Sequence, residues 1–540
     1  MKTSVRHAEK RRTSTCRFAD RIAQFCVQHF KQHIPSSFRE EQKQTCLAAI
    51  VAFVEGNDNN SEELDNGCIY MLGMGVGTKF LPNELLDEEI KLDHSSCTTG
   101  NLVGGYGRRV RDCHAEVLAK RAFQRQILLT MLQDLNLLPG SPDPLPILRR
   151  VQVDDNTKDV CYGLRPGVSL HMYTSSAPCG NATLKKFATM TKEIFQENLA
   201  DNEWPKTVHE PILGHSIPLG QFALLVKKER IPPPASKSPP SLESSEHNSN
   251  LQKRKPPKDC PATQSTDWCP PGTSTVWSGQ GTIHTCSDKI CRWNCLGLQG
   301  SLLASLLEHP LKMATLTVGR KLTESVCRRA VCCRASAGKR KKNKQKMIDQ
   351  DSPPKWASYQ VNHPTIMGTS VYMDDSGVIE TPSPEKNESN GDNMRVEGQD
   401  VRFHSTLSWA WWPFIEYDNS FPLGYQQKNG EVVAECIDGA TGLVAVVTSH
   451  SEQEGVDTSS SEPFLSRVST VALVDLYCQV AAAMVRDECK NTSKLSRPKT
   501  LVDLRAFKRQ TSPVYEAQKE ELLTKHPLFR QWKRRENKID

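Results

Sequence analysis

A chain of 540 residues, 37% hydrophobic and 24% charged, is long enough to bury a large core in one or several domains. Lys and Arg exceed Asp and Glu by 69 − 62 = 7, a mild basic excess that a polyanionic partner would suit without being required by it. The charged start, Met1 to Arg12, has no apolar h-region, and no apolar run approaches the ~20 residues of a membrane helix; the 19 cysteines therefore read as reduced thiols of a nuclear or cytoplasmic protein, a few of them metal ligands.

Residues 17–34 (FADRIAQFCVQHFKQHIP) place Ile22, Phe25, Cys26 and Phe30 at helical spacing, which predicts an amphipathic helix on the core. Residues 43–54 (KQTCLAAIVAFV) read as a second helix, with an apolar face from Leu47 to Val54. Residues 68–80 are apolar and then alternate Gly73, Gly75 and Gly77 before Thr78 and Lys79. A strand entering a tight glycine loop fits, open to close approach by a ligand or simply a turn. The spacing does not complete G-x-x-x-x-G-K-[ST], so a nucleotide P-loop is rejected.

The run Asp112-Cys113-His114-Ala115-Glu116 stands at the head of a helical pattern whose buried face is Leu118, Ala122, Phe123, Ile127 and Met131. A His at a helix start can ligate a metal, and a Glu two residues on can reach that metal's water without ligating it. Alone, H-x-E is weak; a surface His with a first-turn Glu favoured by the helix dipole is the commoner source of such a pattern.

A Pro-rich turn follows Leu137-Leu138-Pro139-Gly140, and Val168 to Tyr173 alternate as a half-buried strand. That strand runs into Ser175-Ser176-Ala177-Pro178-Cys179-Gly180, with a helix expected over about 182–195. A thiolate at a helix start is stabilised there and suits a metal. The common P-C-x-x-C signature would need a cysteine where this chain has Ala182, so a three-ligand zinc site lacks one thiolate locally.

Residues 230–275 are rich in Pro, Ser and Lys and read as a disordered insertion. His284-Thr285-Cys286-Ser287-Asp288-Lys289-Ile290-Cys291-Arg292-Trp293-Asn294-Cys295 follows, and then a helix carrying Leu302, Leu303, Leu306 and Leu307. Residues 311–335 fit a strand and a helix. The basic run 338–346 suits a nuclear localisation signal, a non-specific RNA contact or a solvated loop. Residues 403–447 combine core aromatics (Phe403, Trp409, Trp411, Trp412, Phe414) with paired strands; 465–485 read as a helix and 500–535 as closing helices with a basic end at Arg530, Lys533, Arg534 and Arg535.

The run from Cys286 through Ser287-Asp288-Lys289, Arg292-Trp293-Asn294, Leu296-Gly297 and Gln299-Gly300, downstream of H-A-E and P-C-G, resembles the adenosine-to-inosine editase deaminase domain. The resemblance covers about 68–200, 280–335 and, more weakly, 400–535. It implies an α/β (α+β) fold: a cytidine-deaminase-like core with a mixed β-sheet flanked by helices and elaborated by C-terminal helices. It also implies a division into an N-terminal helical segment, 1–67, and a deaminase domain, 68–540, with disordered insertions at 230–275 and 336–400.

The family pattern implies zinc held by His114, Cys179 and Cys286, with Glu116 as proton shuttle. Cys291 and Cys295 stand where that pattern requires no cysteine and read as core thiols. Thr78 and Lys79 match positions lining the nucleotide pocket; Arg108, Arg109, Lys185 and Lys186 suit phosphate contacts or a solvated face. The family also implies a buried inositol hexakisphosphate on Lys120, Arg121, Lys289, Arg292, Trp293, Ser301, Tyr515, Lys519 and Trp532. Without that resemblance, Lys120-Arg121 and Lys508-Arg509 read as solvated helix faces. Glu516 departs from the Gln usual before the matching Lys519.

The N-terminal 67 residues look too few for a double-stranded-RNA-binding module and resemble the opening helix of the tRNA-specific branch. The expected activity is hydrolytic deamination of adenosine to inosine in tRNA, at adenosine 37 beside the anticodon of alanine tRNA. The alternatives are an editor of double-stranded RNA, a free-nucleoside deaminase, and a catalytically silent RNA-binding protein that retains zinc.

Overall fold

The computed structural model describes residues 2–35, 38, 45–56, 67–81, 107–138, 140, 142–152, 160–183, 284–336, 360–373, 379–380, 407–415, 425–426, 432–445, 464–484, 497–526 and 529, with 85, 88, 89 and 91. Helix α1 (Lys2–His33) comes first, followed by β1 (Leu47–Glu55), β2 (Gly67–Val76), β3 (Thr78–Phe80) and β4 (Asp112–His114), which runs straight into α2 (Ala115–Asp134). A hairpin of β5 (Leu148–Gln152) and β6 (Val160–Leu164) precedes β7 (Val168–Ser176). Next come α3 (Cys286–Leu296), α4 (Gly300–Ala304), β8 (Met313–Arg320) and α5 (Glu324–Arg328), which continues through a π-helical turn, Arg329–Cys333. Strand β9 (Thr365–Gly368) follows, then a small pair of β10 (Tyr372–Met373) and β11 (Ile379–Glu380). The rest is β12 (Leu407–Trp411), β13 (Tyr425–Gln426), β14 (Val432–Asp438), β15 (Leu443–Val444), α6 (Thr470–Met484), α7 (Leu501–Thr511) and α8 (Pro513–Lys525).

One sheet of nine strands organises these elements, in the order β13-β14-β12-β2-β1-β7-β8-β9 with β15 also on β14. Its β7–β8 and β8–β9 pairs are parallel and the others antiparallel. The fold is thus the mixed α/β architecture expected.

The second expected helix, over 43–54, is instead β1, a central strand paired with both β2 and β7. Every side chain from Leu47 to Phe53 is buried. A strand covered on both faces has no polar alternation to display, so its apolar run is indistinguishable from a buried helix by periodicity. Ile50, Val51, Phe53 and Val54, β-branched or aromatic, are the residues that favour the strand. Strand β7 differs from its half-buried reading for the same reason: Leu170 through Ser175 are buried on both faces, His171 and Tyr173 included.

The glycines of β2 do not form a loop for a ligand. A Cβ on Gly73 would lie 2.4 Å from the Phe123 nitrogen, and one on Gly75 2.3 Å from the Ala115 carbonyl oxygen. They let α2 lie directly against the sheet, which fixes the helix start at β3 and β4. Helix α1 covers the opposite face: Phe18 meets the Phe53 ring edge-on at 5.3 Å and His171 at 5.1 Å. Phe53 and Ala48, the partner of Gly75, are five residues apart along β1 and so point to opposite sides.

Helix α2 is buried nearly all round, its expected face included. Even Arg125 is fully buried; its guanidinium donates to the Arg467 carbonyl at 2.6 Å and stacks over Trp412, while Arg467 pairs with Glu435 at 3.0 Å. The expected core aromatics Trp409, Trp411, Trp412 and Phe414 are buried, and Cys291 and Cys295 are core thiols with Tyr515, Leu523 and Phe529. Among the described residues no helix is long and apolar enough to cross a membrane. The expectations for 182–195 beyond Thr183, for 230–275, for the basic run 338–346, for Phe403 and for Arg530, Lys533, Arg534 and Arg535 lie outside the described residues.

Candidate metal centre and active site

Three chain segments distant in sequence meet at one point. His114 ends β4 and is the N-cap of α2; Cys179 lies just past the end of β7; Cys286 is the first residue of α3. Their donor atoms all lie within 4.8 Å of one another. A zinc ion with Zn–S bonds of ~2.3 Å in tetrahedral geometry would set its sulfur ligands about 3.8 Å apart, so the triangle has the right size. The Cys286 backbone N–H donates to the Cys179 sulfur at 3.3 Å, and Ser287 N to the Cys179 carbonyl at 3.0 Å. Gly180, at φ +94°, makes that turn possible: a Cβ there would lie 2.3 Å from Thr285 Oγ1.

His114 is oriented from behind. Its Nδ1 lies 2.7 Å from Asp112 Oδ1, and its buried Nε2 has no hydrogen-bond partner among the described residues. Asp112 Oδ2 in turn accepts from the Lys289 ammonium. A histidine held through one nitrogen by a carboxylate, with the other left open beside two thiols, is the arrangement metal-binding histidines adopt. The donor set, spacing and orphaned nitrogen therefore fit zinc.

The two sulfurs are electrostatically unequal. The hydrogen bond from the Cys286 thiol holds Cys179 below its ordinary value, with the nearby His114 adding to the effect, while burial pushes Cys286 well up. Glu116, buried in the first turn of α2, reaches the same pair and touches Cys286. Cys46 joins from β1's leading edge: burial, with Glu116 and Cys179 adding, pushes its thiol up to about 12. Thr78 sits opposite His114 in the β3–β4 ladder, and Lys79, buried, opposite Cys113.

A second, cationic cluster lies beyond Lys289. Lys120 stacks 5.2 Å over Trp293 and is held well below its ordinary value by burial and then by Arg292, Arg121, Lys508 and Lys519. Arg121 donates to Thr470 Oγ1 at 3.1 Å and Lys519 pairs with Glu516 at 2.9 Å. A cavity of about 90 Å³ opens here, lined by Arg121, Gln124, Gln299, Ser301 and Lys508 among others. Burial and the neighbouring Lys519 bring Lys508 down to about 7. Tyr515 is buried beside Arg292, and Trp532 lies outside the described residues.

Of the predicted residues, the structure brings His114, Glu116, Cys179 and Cys286 to one point, with Thr78 and Lys79 alongside. Lys120, Arg121, Arg292, Trp293, Ser301, Tyr515 and Lys519 gather in the second cluster, and Lys289 joins the two through Asp112. Arg109 is held by the Thr441 carbonyl at 2.8 Å; Lys185 and Lys186 lie outside the described residues. Sequence reasoning missed Asp112 and Cys46, and it weighed Lys508 without carrying it into the matched polyanion set. Asp112 carried a usable signal, an acidic residue two before a metal-type histidine on a strand end.

The family model of the adenosine-deaminase (editase) domain matches residues 95–393, more than half of the chain. The chain belongs to this editase family. It is 23% identical over 372 residues to tRNA-specific adenosine deaminase 1 of Mus musculus, covering 58% of this chain and 68% of that one. It is 26% identical over 278 residues to the double-stranded RNA-specific adenosine deaminase of the same species, covering 51% of this chain and 19% of that one. The match to double-stranded RNA-specific editase B2 of Rattus norvegicus is 27% over 303 residues, 56% of this chain and 30% of the relative. The chain therefore spans a fifth to a third of the double-stranded-RNA enzymes it resembles.

Proposed function

We propose that this editase domain converts adenosine to inosine in tRNA, at the adenosine next to the anticodon of alanine tRNA, with zinc held by His114, Cys179 and Cys286. The observation that carries the reading is the meeting of those three donors with Glu116 at the head of α2. The tRNA choice is supported by the longer match to tRNA-specific adenosine deaminase 1, 372 residues against 278 and 303 for the double-stranded-RNA relatives.

Zinc bound there supplies a Lewis acid that lowers the pKa of a coordinated water into the neutral range. Asp112 fixes His114 so that its Nε2 faces the two sulfurs. The N-termini of α2 and α3 favour the anionic groups gathered between them. Glu116 accepts a proton from the attacking water as its oxygen bonds to C6 of adenine, and delivers that proton to N1. It then moves the second water proton to the exocyclic nitrogen; the C6–N bond breaks and ammonia leaves, giving the C6 carbonyl with N1 protonated. Thr78, opposite His114, and Lys79 are placed to line the base pocket. An anticodon loop suits such a pocket because its bases are already unpaired and cost little to extrude.

The cationic cluster binds inositol hexakisphosphate in this reading. Lys120, Arg121, Arg292, Lys508 and Lys519 crowd together with Glu516 as the acidic neighbour, and a polyanion would offset the burial and the neighbouring cations that hold Lys120 and Lys508 below their ordinary values. Lys289, on Asp112, links that ligand's site to the metal site.

The test is a substrate panel with purified, zinc-loaded, full-length protein: alanine tRNA transcript, a long RNA duplex and free adenosine. Inosine confined to the position beside the anticodon supports the reading. Inosine only in the duplex assigns the chain to double-stranded RNA, and none on any substrate favours a silent RNA-binding protein.

A further inference from the structure

We propose that Cys332, Cys333 and His363 form a second zinc site, separate from the His114–Cys179–Cys286 triangle, with three protein donors and a fourth position facing solvent. Cys332 and Cys333 end the π-helical turn Arg329–Cys333, and His363 lies just ahead of β9. Their donor atoms all lie within 4.8 Å of one another. Cys332 Sγ is 3.7 Å from Cys333 Sγ, and Cys333 Sγ is 3.7 Å from His363 Nδ1. Tetrahedral zinc would set two sulfurs about 3.8 Å apart and a sulfur and an imidazole nitrogen about 3.6 Å apart. The cluster has those spacings before any ion enters.

The π turn explains how neighbouring cysteines can share an ion. In an α-helix successive side chains diverge by about 100°. The i→i+5 bonds of a π turn fit more residues into each turn, so adjacent side chains diverge less, and such turns recur at functional sites. Cys332 is fully buried, Cys333 half-buried and His363 exposed, a gradient that leaves the cluster reachable from solvent.

Both flanks are held in place by the same helix, α3. On one side Arg334 pairs with Asp288 at 2.6 Å, and Asn294 Nδ2 donates to the Val331 carbonyl at 2.9 Å. On the other, Asn362, next to His363, donates from its backbone N–H to the Asn294 carbonyl at 2.7 Å and from Nδ2 to the Met313 carbonyl at 2.6 Å. Two thiolates and an imidazole are a donor set for a soft d¹⁰ ion rather than magnesium or calcium. On binding, both thiols release their protons to water, and His363 binds as neutral imidazole. The ion would clip together residues thirty apart in sequence, both beside the helix that begins at Cys286.

The test is zinc content per chain of the reduced, full-length protein, wild type beside His363→Ala and Cys333→Ser. The reading is the difference between proteins, so incomplete loading of the first site does not enter it. His363 is exposed and outside every element, so His363→Ala keeps the test readable if Cys333→Ser fails to fold. Cobalt loading adds a second readout, because removing a thiolate lowers the sulfur-to-metal charge-transfer absorption. Loss of one zinc equivalent in each variant, with weaker cobalt absorption in Cys333→Ser, is the expected result. Equal zinc in all three proteins, or a Cys332–Cys333 disulfide in the native mass, overturns the proposal.

Discussion

Asp112 stands between His114 and Lys289, accepting from the imidazole at 2.7 Å with one carboxylate oxygen and from the ammonium with the other. One buried side chain thus orients a metal-type histidine and ties it to the cationic cluster. Asp112→Asn keeps the shape but loses the charge that both partners need. Zinc affinity should fall roughly 10- to 100-fold, the usual cost of removing such a partner. Chelator competition measures it; unchanged affinity would remove Asp112 from the account.

The two classes of cysteine in α3 separate cleanly. Cys286→Ala should lose one zinc equivalent, whereas Cys291→Ala, truncating a thiol packed with Tyr515 and Leu523, should keep all of it. Metal analysis of both proteins decides, and the reverse pattern would show the ligand assignment wrong.

Gly75 tests how the sheet positions the site. Its Cβ position is 2.3 Å from the Ala115 oxygen and 2.5 Å from the Ala119 nitrogen, both backbone atoms that cannot swing aside. Gly75→Ala should destabilise the protein by about 1–3 kcal/mol or more, and inosine yield should fall with it because α2 carries Glu116. Denaturant midpoints that match wild type would contradict this packing.

Lys508 should make polyanion binding depend on pH. Burial and Lys519 bring its ammonium down to about 7 against the opposing Glu516, with Arg121 and Arg111 adding to the depression. In the ligand-free fold this value lies below the unfolded one, so protonated Lys508 costs stability below pH 7, and the cost fades as pH rises toward the unfolded value. A bound polyanion favours the protonated form, so its affinity should be full below about pH 7 and then fall by up to roughly tenfold per pH unit. Titration with inositol hexakisphosphate near pH 6.5 and 8.5 should show the loss, and Lys508→Met should flatten it. Equal affinity at both values would remove Lys508 from the site.

What could be read in the sequence was what short local patterns encode. His114-x-Glu116 and the residues around Cys179 and Cys286 are compact runs, and the resemblance joined them although Cys179 and Cys286 are 107 positions apart. Helices α1, α2 and α6 were legible from their apolar spacing. Strand β1 was not, because Leu47–Phe53 is buried on both faces and displays no period. The glycines of β2 misled because the same residue serves a loop near a ligand and a strand beneath a helix; only the neighbour distinguishes them. Without the resemblance Lys508 read as solvated, because its partners, Arg121 and Lys519, come from separate helices. The Cys332–Cys333–His363 cluster was not legible either: His363 lies thirty positions from Cys333, and the π turn that carries the two thiols has no compositional signature.

If Glu116 moves protons at a zinc site that deaminates tRNA, replacing it should remove activity and leave the metal in place. The most direct test measures zinc content and inosine beside the anticodon of alanine tRNA together, for wild type and Glu116→Gln. Equal zinc in both, with inosine lowered at least about 10²-fold in the variant, is the predicted result. A variant that keeps its zinc and still makes inosine at the wild-type rate would contradict the account.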